Sequence, residues 1–264
     1  MKRGLLSLTV LAALATSIAP LSADEENKII VGSGFFVNPD GYVVTANHVI
    51  SNCTGHISIH GATMALDATL VASDPNKDLA LLKSVAGVTV GDIISFRPLW
   101  QQVKAGDGVI VAGYPGQSGI KQDSLQSWQT DKIIIFEAKI INTEKQGRFT
   151  ATMSALGKTI PDSASQTEKW LEISHVSAGG NSGGPVLDAS GNVIGVIRAT
   201  LSEDSILSPT KISDIAVGEA SVRSFLDANN VRYEETNSGT SMTDDHMAEI
   251  TDSIVNIRCQ GSTN

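Results

Sequence analysis

The sequence predicts an all-β protein, either one large β domain or two barrels sharing a core, ending in a tail with a helix. Short apolar, β-branched runs such as Val109-Ile110-Val111-Ala112 recur along most of the chain. Turn-forming clusters such as Asn38-Pro39-Asp40-Gly41 separate them. Helical spacing is confined to the C-terminal part, at Val222, Phe225 and Leu226 and again at Met247, Ile250, Ile254 and Ile257.

The first residues read as an export leader. Lys2 and Arg3 precede an apolar run from Gly4 to Ala19, and Leu21-Ser22-Ala23 stands before acidic Asp24-Glu25-Glu26. Cleavage is expected after Ala23, giving residues 1–23 as signal peptide; an uncleaved membrane anchor is the alternative, although the run is short for a span. Loss of Lys2 and Arg3 takes the net charge from −9 to −11, which argues against nucleic acid or an anionic membrane as main partner. About 240 residues remain, enough for a sizeable core. The two cysteines, Cys53 and Cys259, both lie in the exported part and are a candidate disulfide.

Taken in order, Ile29 to Val37 is a strand interrupted by Gly32-Ser33-Gly34, and Tyr42 to Thr45 returns from the turn at Asn38–Gly41. His48 is expected at the end of that returning strand, where a ring is held rigidly yet reaches a cleft. Strands continue at His56–Ile59 and Met64–Ala72. Asp78 then opens the apolar strand Leu79-Ala80-Leu81-Leu82-Lys83; a buried carboxylate there needs a partner. Asp74, four residues earlier, reads as an ordinary loop residue. Lys132 to Ile141 is a β-branched strand with which Arg148–Met153 is expected to pair. Gln117–Thr130 and Gly157–Lys169 read as loops. Trp170 to Ser174 is a short strand, Leu187 to Ala199 a strand, turn and strand, and Ile215 to Leu226 a strand followed by a helix. Thr243 to Ile257 is expected as an amphipathic helix packed on the domain. No solenoid repeat, P-loop or metal-ligand cluster stands out, so no cofactor is expected.

The chain is organised around Gly180-Asn181-Ser182-Gly183-Gly184-Pro185-Val186. Such a loop cannot be helix interior. Its glycines clear space around one hydroxyl and let the amides of Gly180 and Ser182 turn toward one point, the layout of a nucleophile beside an oxyanion hole. A nucleophile needs a base, and the base an orienting acid. His48 and Asp78 fill those roles, in the order His, Asp, Ser in which such chemistry occurs.

Three blocks carry a resemblance. Gly32 to Val49 resembles the histidine hairpin of trypsin-like serine peptidases, most of all the HtrA/Deg branch. Asp78 to Lys83 resembles that family's aspartate strand, and Gly180 to Val196 its serine segment. The resemblance covers roughly Val31 to Leu226 and is weakest from Gln117 to Ile173. It implies two six-stranded antiparallel β-barrels with the active site between them, over residues 24–230, and a tail from 231 to 264. It also implies peptide hydrolysis through an acyl-enzyme, with His48 as base, Asp78 holding the imidazolium and Gly180 and Ser182 binding the oxyanion. Asn181 stands where trypsins carry the aspartate that pairs with a new N-terminus, so no proteolytic zymogen switch is expected. The 38 residues after Leu226 are too few for the PDZ domain that usually follows in this branch. The oligomeric state stays open.

By position relative to the serine, Val176, Ser177 and Ala178 are expected to wall one side of the specificity pocket. Ile197, Arg198, Ala199 and Thr200 would line the other and pair with extended substrate. A small pocket follows, cleaving after Val, Ala, Ser or Thr-like residues; His175 and Arg198 offer the alternative of an acidic side chain. The partner expected is a protein or peptide substrate, with no nucleic acid and no stable membrane insertion once the leader is removed. A catalytically silent binding or chaperone-like protein on the same fold is the rival reading, and a serine esterase a third.

Overall fold

The computed structural model describes residues 28–62, 64–85, 93–116, 120–121, 132–145, 151–153, 158–160, 169–176, 178–205, 208–236 and 241–261. The first part holds β1 (Lys28–Phe36), β2 (Tyr42–Ala46), the one-turn helix α1 (Asn47–Ile50), β3 (Cys53–His60), β4 (Ala65–Asp74) and β5 (Leu79–Ser84). The second holds β6 (Gly108–Gly113), β7 (Ile120–Lys121), β8 (Ile134–Lys145), β9 (Ala151–Met153), β10 (Lys158–Ile160), β11 (Trp170–Ser174), β12 (Pro185–Leu187), β13 (Val193–Ser205) and β14 (Ser208–Gly218). Helices α2 (Glu219–Ala228) and α3 (Asp244–Thr251) and a last strand, β15 (Ile254–Gly261), complete the chain.

Two closed antiparallel barrels result. In the first, β1, β2, β5, β4, β3 and β15 follow one another and β15 pairs back to β1; in the second, β6, β8, β11, β14, β13 and β12 close in the same way. Closure removes the free sheet edges that an open sheet must protect. Short β7 adds to β1, and β9 with β10 adds to β13. Each barrel has its own filling: Phe36, Val43, Ile59, Leu82, Val255 and Ile257 in the first, Val111, Ile140, Ile173, Val186 and Ile194 in the second. A third cluster joins them, running from Phe35, Val44 and Leu81 through Trp170, Leu187 and Val196 to Val222 and Phe225 of α2. The barrels share that core, and the loops at the shared face are held in fixed relation. Among the described residues no helix is long and apolar enough to cross a membrane.

Several expectations need correction. The helix expected to run from Thr243 to Ile257 stops at Thr251. Thr243 caps its start, its hydroxyl accepting the His246 amide at 3.2 Å. After the turn at Asp252 and Ser253 the chain becomes β15, which is bonded on both edges, to β1 and to β3. Ile254 and Ile257 are buried as strand residues, and backbone pairing on two sides outweighs their helical spacing. The segment expected as a tail therefore supplies one of the first barrel's six strands. Residues 151–153 do not pair with β8, because β6 and β11 occupy both its edges; β9 pairs with β10 and meets β13 at Thr200. The stretches read as loops contain β7 and β10, and most of the rest of them lies outside the described residues. The expected leader lies outside them too. Strand β1 is not broken at its glycines. They admit close neighbours instead: a Cβ on Gly32 would stand 2.6 Å from the Val49 side chain, and one on Gly34 would stand 2.8 Å from the Val44 carbonyl.

Candidate active site

His48 lies just beyond β2, within α1 rather than at the strand end expected of it. Val49 and Ile50 turn into the first barrel's core, which fixes the turn and leaves the imidazole at the shared face, 7% exposed. The turn is also anchored on Asp78, whose carbonyl accepts the Asn47 amide at 3.0 Å. Asp78 has φ 54°, in the left-handed region that aspartate enters more readily than most residues. That backbone turns its carboxylate onto His48 from two sides. Oδ1 accepts the His48 backbone amide at 2.9 Å and Oδ2 accepts Nδ1–H at 2.8 Å. A carboxylate oxygen can only accept, so this bond fixes the hydrogen on Nδ1 and leaves Nε2 as the acceptor of a neutral ring. Asp74 builds the preceding turn: its Oδ1 accepts the amides of Asn76 and Lys77 at 3.0 and 3.1 Å.

The serine loop runs from β11 to β12. Gly180 and Gly183 have φ of 97° and 86°, conformations that side chains resist. Crowding enforces glycine as well. A Cβ on Gly183 would lie 2.2 Å from the Ser33 carbonyl and 2.7 Å from the Ala46 amide, which places this loop directly against the end of β2 that leads to His48. The hub of the junction is Ser33, fully buried in β1. Its amide donates to the Ser182 carbonyl, its hydroxyl donates to the Gly180 carbonyl and accepts the Tyr114 amide, each at 2.8 Å, and its carbonyl accepts the Thr45 hydroxyl at 2.7 Å. Sequence reading passed over Ser33 as part of a strand interruption; a lone polar residue between two glycines was the only hint. The Ser182 hydroxyl donates to the Arg198 carbonyl at 3.4 Å. Among the described residues, no acceptor takes up the amides of Gly180 and Ser182.

A sequence profile of the family described as Trypsin-like peptidase domain matches residues 32–196, more than half of the chain. The chain belongs to this family. A probable periplasmic serine endoprotease DegP-like of Brucella suis biovar 1 (strain 1330) is 32% identical over 178 residues, 67% of this chain and 29% of that protein. This chain thus spans less than a third of the length of such relatives. The active form of Rv3671c protease from M. tuberculosis superposes with a TM-score of 0.54 at 20% identity, over 86% of this chain and 96% of that one. The HtrA-type protease AlgW, solved with a decapeptide, gives a TM-score of 0.53 at 21% identity, over 75% of this chain and 51% of its own. At these identities the structures speak for the fold, the two-barrel architecture described above.

Around the serine of this trypsin-like domain, the segments expected to shape the specificity pocket meet at a residue the sequence reading missed, Asp214 on β14. It is fully buried. Its oxygens accept His175 Nδ1–H at 2.9 Å, the Val176 amide at 2.8 Å and the Thr200 hydroxyl at 2.9 Å, so the two expected walls are tied together through it. An aspartate in Ser213-Asp214-Ile215-Ala216 gives no sign in sequence of facing inward. Ala178 is placed by its carbonyl, which accepts the Asn181 amide at 3.1 Å; Ile197 accepts the Gly183 amide at 2.8 Å and, like Ala199, is buried. Ser177 lies outside the described residues. Arg198 lies in β13 between Ile197 and Ala199. Its side chain turns inward, 6% exposed, with Nε 3.5 Å from Asp78 Oδ2 and the guanidinium 4.6 Å from the centre of the Trp170 ring. The guanidinium is thus held between a carboxylate and an aromatic face, both of which attract a cation. Cys53 and Cys259 form a disulfide, Cα atoms 5.6 Å apart, that joins β3 to β15.

Beyond the cleft, burial raises the Glu219 carboxyl at the start of α2 from 4.5 to about 7, against the lowering pull of Arg223 and Arg97. Asp188 and Glu235 push it the same way as burial.

Proposed function

We propose that the chain is an exported serine endopeptidase whose triad is His48, Asp78 and Ser182. The observation that carries this reading is the double grip of Asp78 on His48, beside a serine loop packed against the strand end that leads to that histidine. In the reaction the Ser182 hydroxyl gives up the Arg198 carbonyl and turns to His48 Nε2, which takes its proton as Oγ attacks a peptide carbonyl. Asp78 holds the resulting imidazolium through Nδ1–H. The amides of Gly180 and Ser182 receive the oxyanion. His48 then protonates the leaving amine, an acyl-enzyme remains, and water releases it by the same steps in reverse. The substrate would lie extended along Ile197 to Thr200, with Val176 and Ala178 across the pocket, Ser177 being assigned there from its sequence position alone. A small pocket is favoured over one for an acidic side chain, because Arg198 is engaged with Asp78 and His175 with Asp214.

Export draws support from two sides. The Brucella relative is named as periplasmic. The Cys53–Cys259 bond belongs in an oxidising compartment. Residues 1–23 would be the leader removed on the way.

The test is hydrolysis of casein and a peptide library by wild type and Ser182→Ala, with phosphonate labelling of Ser182. Cleavage after small residues that vanishes in the variant is the expected result. Cleavage that survives Ser182→Ala would reject this nucleophile. A folded wild type that neither cleaves nor labels would favour the silent, binding reading.

A further inference from the structure

We propose that Arg198 is a positioning residue of the active site, joining the acid end of the triad to the nucleophile end. The proposal rests on the triad reading above. One residue touches both ends. Its guanidinium Nε lies 3.5 Å from Asp78 Oδ2, the oxygen that also accepts His48 Nδ1–H, while its carbonyl accepts the Ser182 hydroxyl. The pairing is buried on all sides: Asp78 and Arg198 are each 6% exposed and His48 is 7% exposed. A buried carboxylate is stabilised by hydrogen bonds and by a nearby cation; the His48 amide and ring supply the first to Asp78, and Arg198 supplies the second.

The arrangement has a mechanical side too. Asp78 sits in a left-handed backbone conformation that costs energy and persists only where its surroundings hold it. The His48 amide and ring grip it from the first barrel, and Arg198 reaches it from β13 of the second. The guanidinium carbon also lies over the Trp170 ring of β11, 4.6 Å from its centre. Bulged pairing between β13 and β14, over the interval from Ile197 to Ala199, brackets Arg198. A bulge re-aims a side chain that regular alternation would send elsewhere. The acid of the first barrel is thus registered against the nucleophile of the second through one side chain and its own backbone. Other charges nearby are committed elsewhere: Lys77 lies 4.0 Å from Asp74, and Asp214 holds His175 and Thr200.

Arg198→Met keeps a long side chain against Trp170 and removes the charge; Arg198→Lys keeps the charge. With a peptide substrate, Arg198→Met is expected to lose about tenfold to a hundredfold in kcat with KM within about twofold, since the substitution leaves the strand backbone along which substrate would lie and alters only a buried side chain. The phosphonate labelling rate should fall in parallel. Arg198→Lys should recover most of the loss. The downfield proton signal of His48 Nδ1–H should broaden or shift in the Met variant and return in the Lys variant. An unchanged kcat in a folded Met variant would overturn the proposal, and so would a loss confined to KM, which would return Arg198 to the substrate groove. Thermal unfolding of Arg198→Met, Asp78→Asn and the double variant supplies a cycle that does not depend on turnover. Coupling is expected, and strict additivity would overturn the proposal. If wild type cleaves nothing and Ser182→Ala changes nothing, the peptidase reading has failed, and this cycle still decides whether Arg198 positions Asp78.

Discussion

Removing the Cys53–Cys259 bond tests how far the C-terminal strand governs the site. The bond joins residues 206 apart in sequence, so most of the chain lies within the loop it closes. Cross-linking a loop of that size removes chain entropy from the unfolded state worth about 5 kcal/mol at 25 °C in the loop-closure picture. For a chain of this size each kcal/mol moves Tm by about 2–4 °C, so the expected loss is about 10–20 °C. The consequence reaches the histidine. Val255 and Ile257 of β15 pack in the same cluster as Val43, Ala46, Val49 and Ile50, which hold α1 and with it His48. Freed from the bond, β15 is kept by its ladders to β1 and β3, by that packing, and by the Tyr114 hydroxyl donated to the Ile254 carbonyl. Calorimetry of the oxidised protein, the dithiothreitol-treated protein and Cys53→Ala/Cys259→Ala measures the effect, with peptide hydrolysis followed across the same temperatures. Activity is expected to fade at temperatures where much of the β structure survives by circular dichroism. A Tm change under about 3 °C in both the reduced protein and the variant would refute the reasoning, since the entropy term would then be absent.

Three further outcomes follow from the geometry. Asp78→Asn keeps the shape of the contact but turns an acceptor-only oxygen pair into a partial donor, so His48 takes the wrong tautomer; kcat should fall about 10³–10⁴-fold with little change in KM, read by single-turnover kinetics. Gly183→Ala forces a Cβ to 2.2 Å from the Ser33 carbonyl at φ 86°, and should cost about 2–4 kcal/mol in urea unfolding and remove phosphonate labelling. Glu219 gives a pH signature. A carboxyl whose folded pKa is raised keeps its proton after the unfolded chain has lost it, so stability falls as pH rises from 4.5 to about 7 and is level above. Discounted for its partial exposure, the fall is about 1–2 kcal/mol, and Glu219→Gln should flatten it; equal pH slopes in urea midpoints for wild type and variant would reject this.

Much of this fold was legible because turns and β-branched runs are local signals. The turn at Asn38–Gly41 pairs Tyr42–Thr45 with the strand before it, and the glycines around Ser182 can only be a tight loop, as residues at φ near 90° require. The element at Ile254–Gly261 was not legible, because its spacing fits a helix as well as a strand; what decides it is the vacancy between β1 and β3, which lies about 200 residues away in the chain. At the site, His48, Asp78 and Ser182 could be singled out as a candidate triad from their local settings, but nothing local says how they are held. Ser33 looks like an interruption, Asp214 like an exposed strand residue, and Arg198 like a substrate contact, and each acts through a partner from another part of the chain.

That division has a physical basis. Aspartate enters the left-handed region more readily than most residues, yet the backbone of Asp78 is also gripped from outside its own turn. It is held because groups from α1 and β13 arrive on its oxygens from two barrels. The cost of strain at the acid is thus met by the packing that brings the barrels together, and a loss of barrel contact anywhere along Ser33, Gly183 and Arg198 should reach the histidine before it reaches the global fold. Hydrogen exchange tests that order: the amides of Asn47 and His48, which donate to Asp78, should open at lower free energy than those of β12 and β13 in Arg198→Met, whereas equal protection across all four would mean that the strained turn is stabilised locally after all.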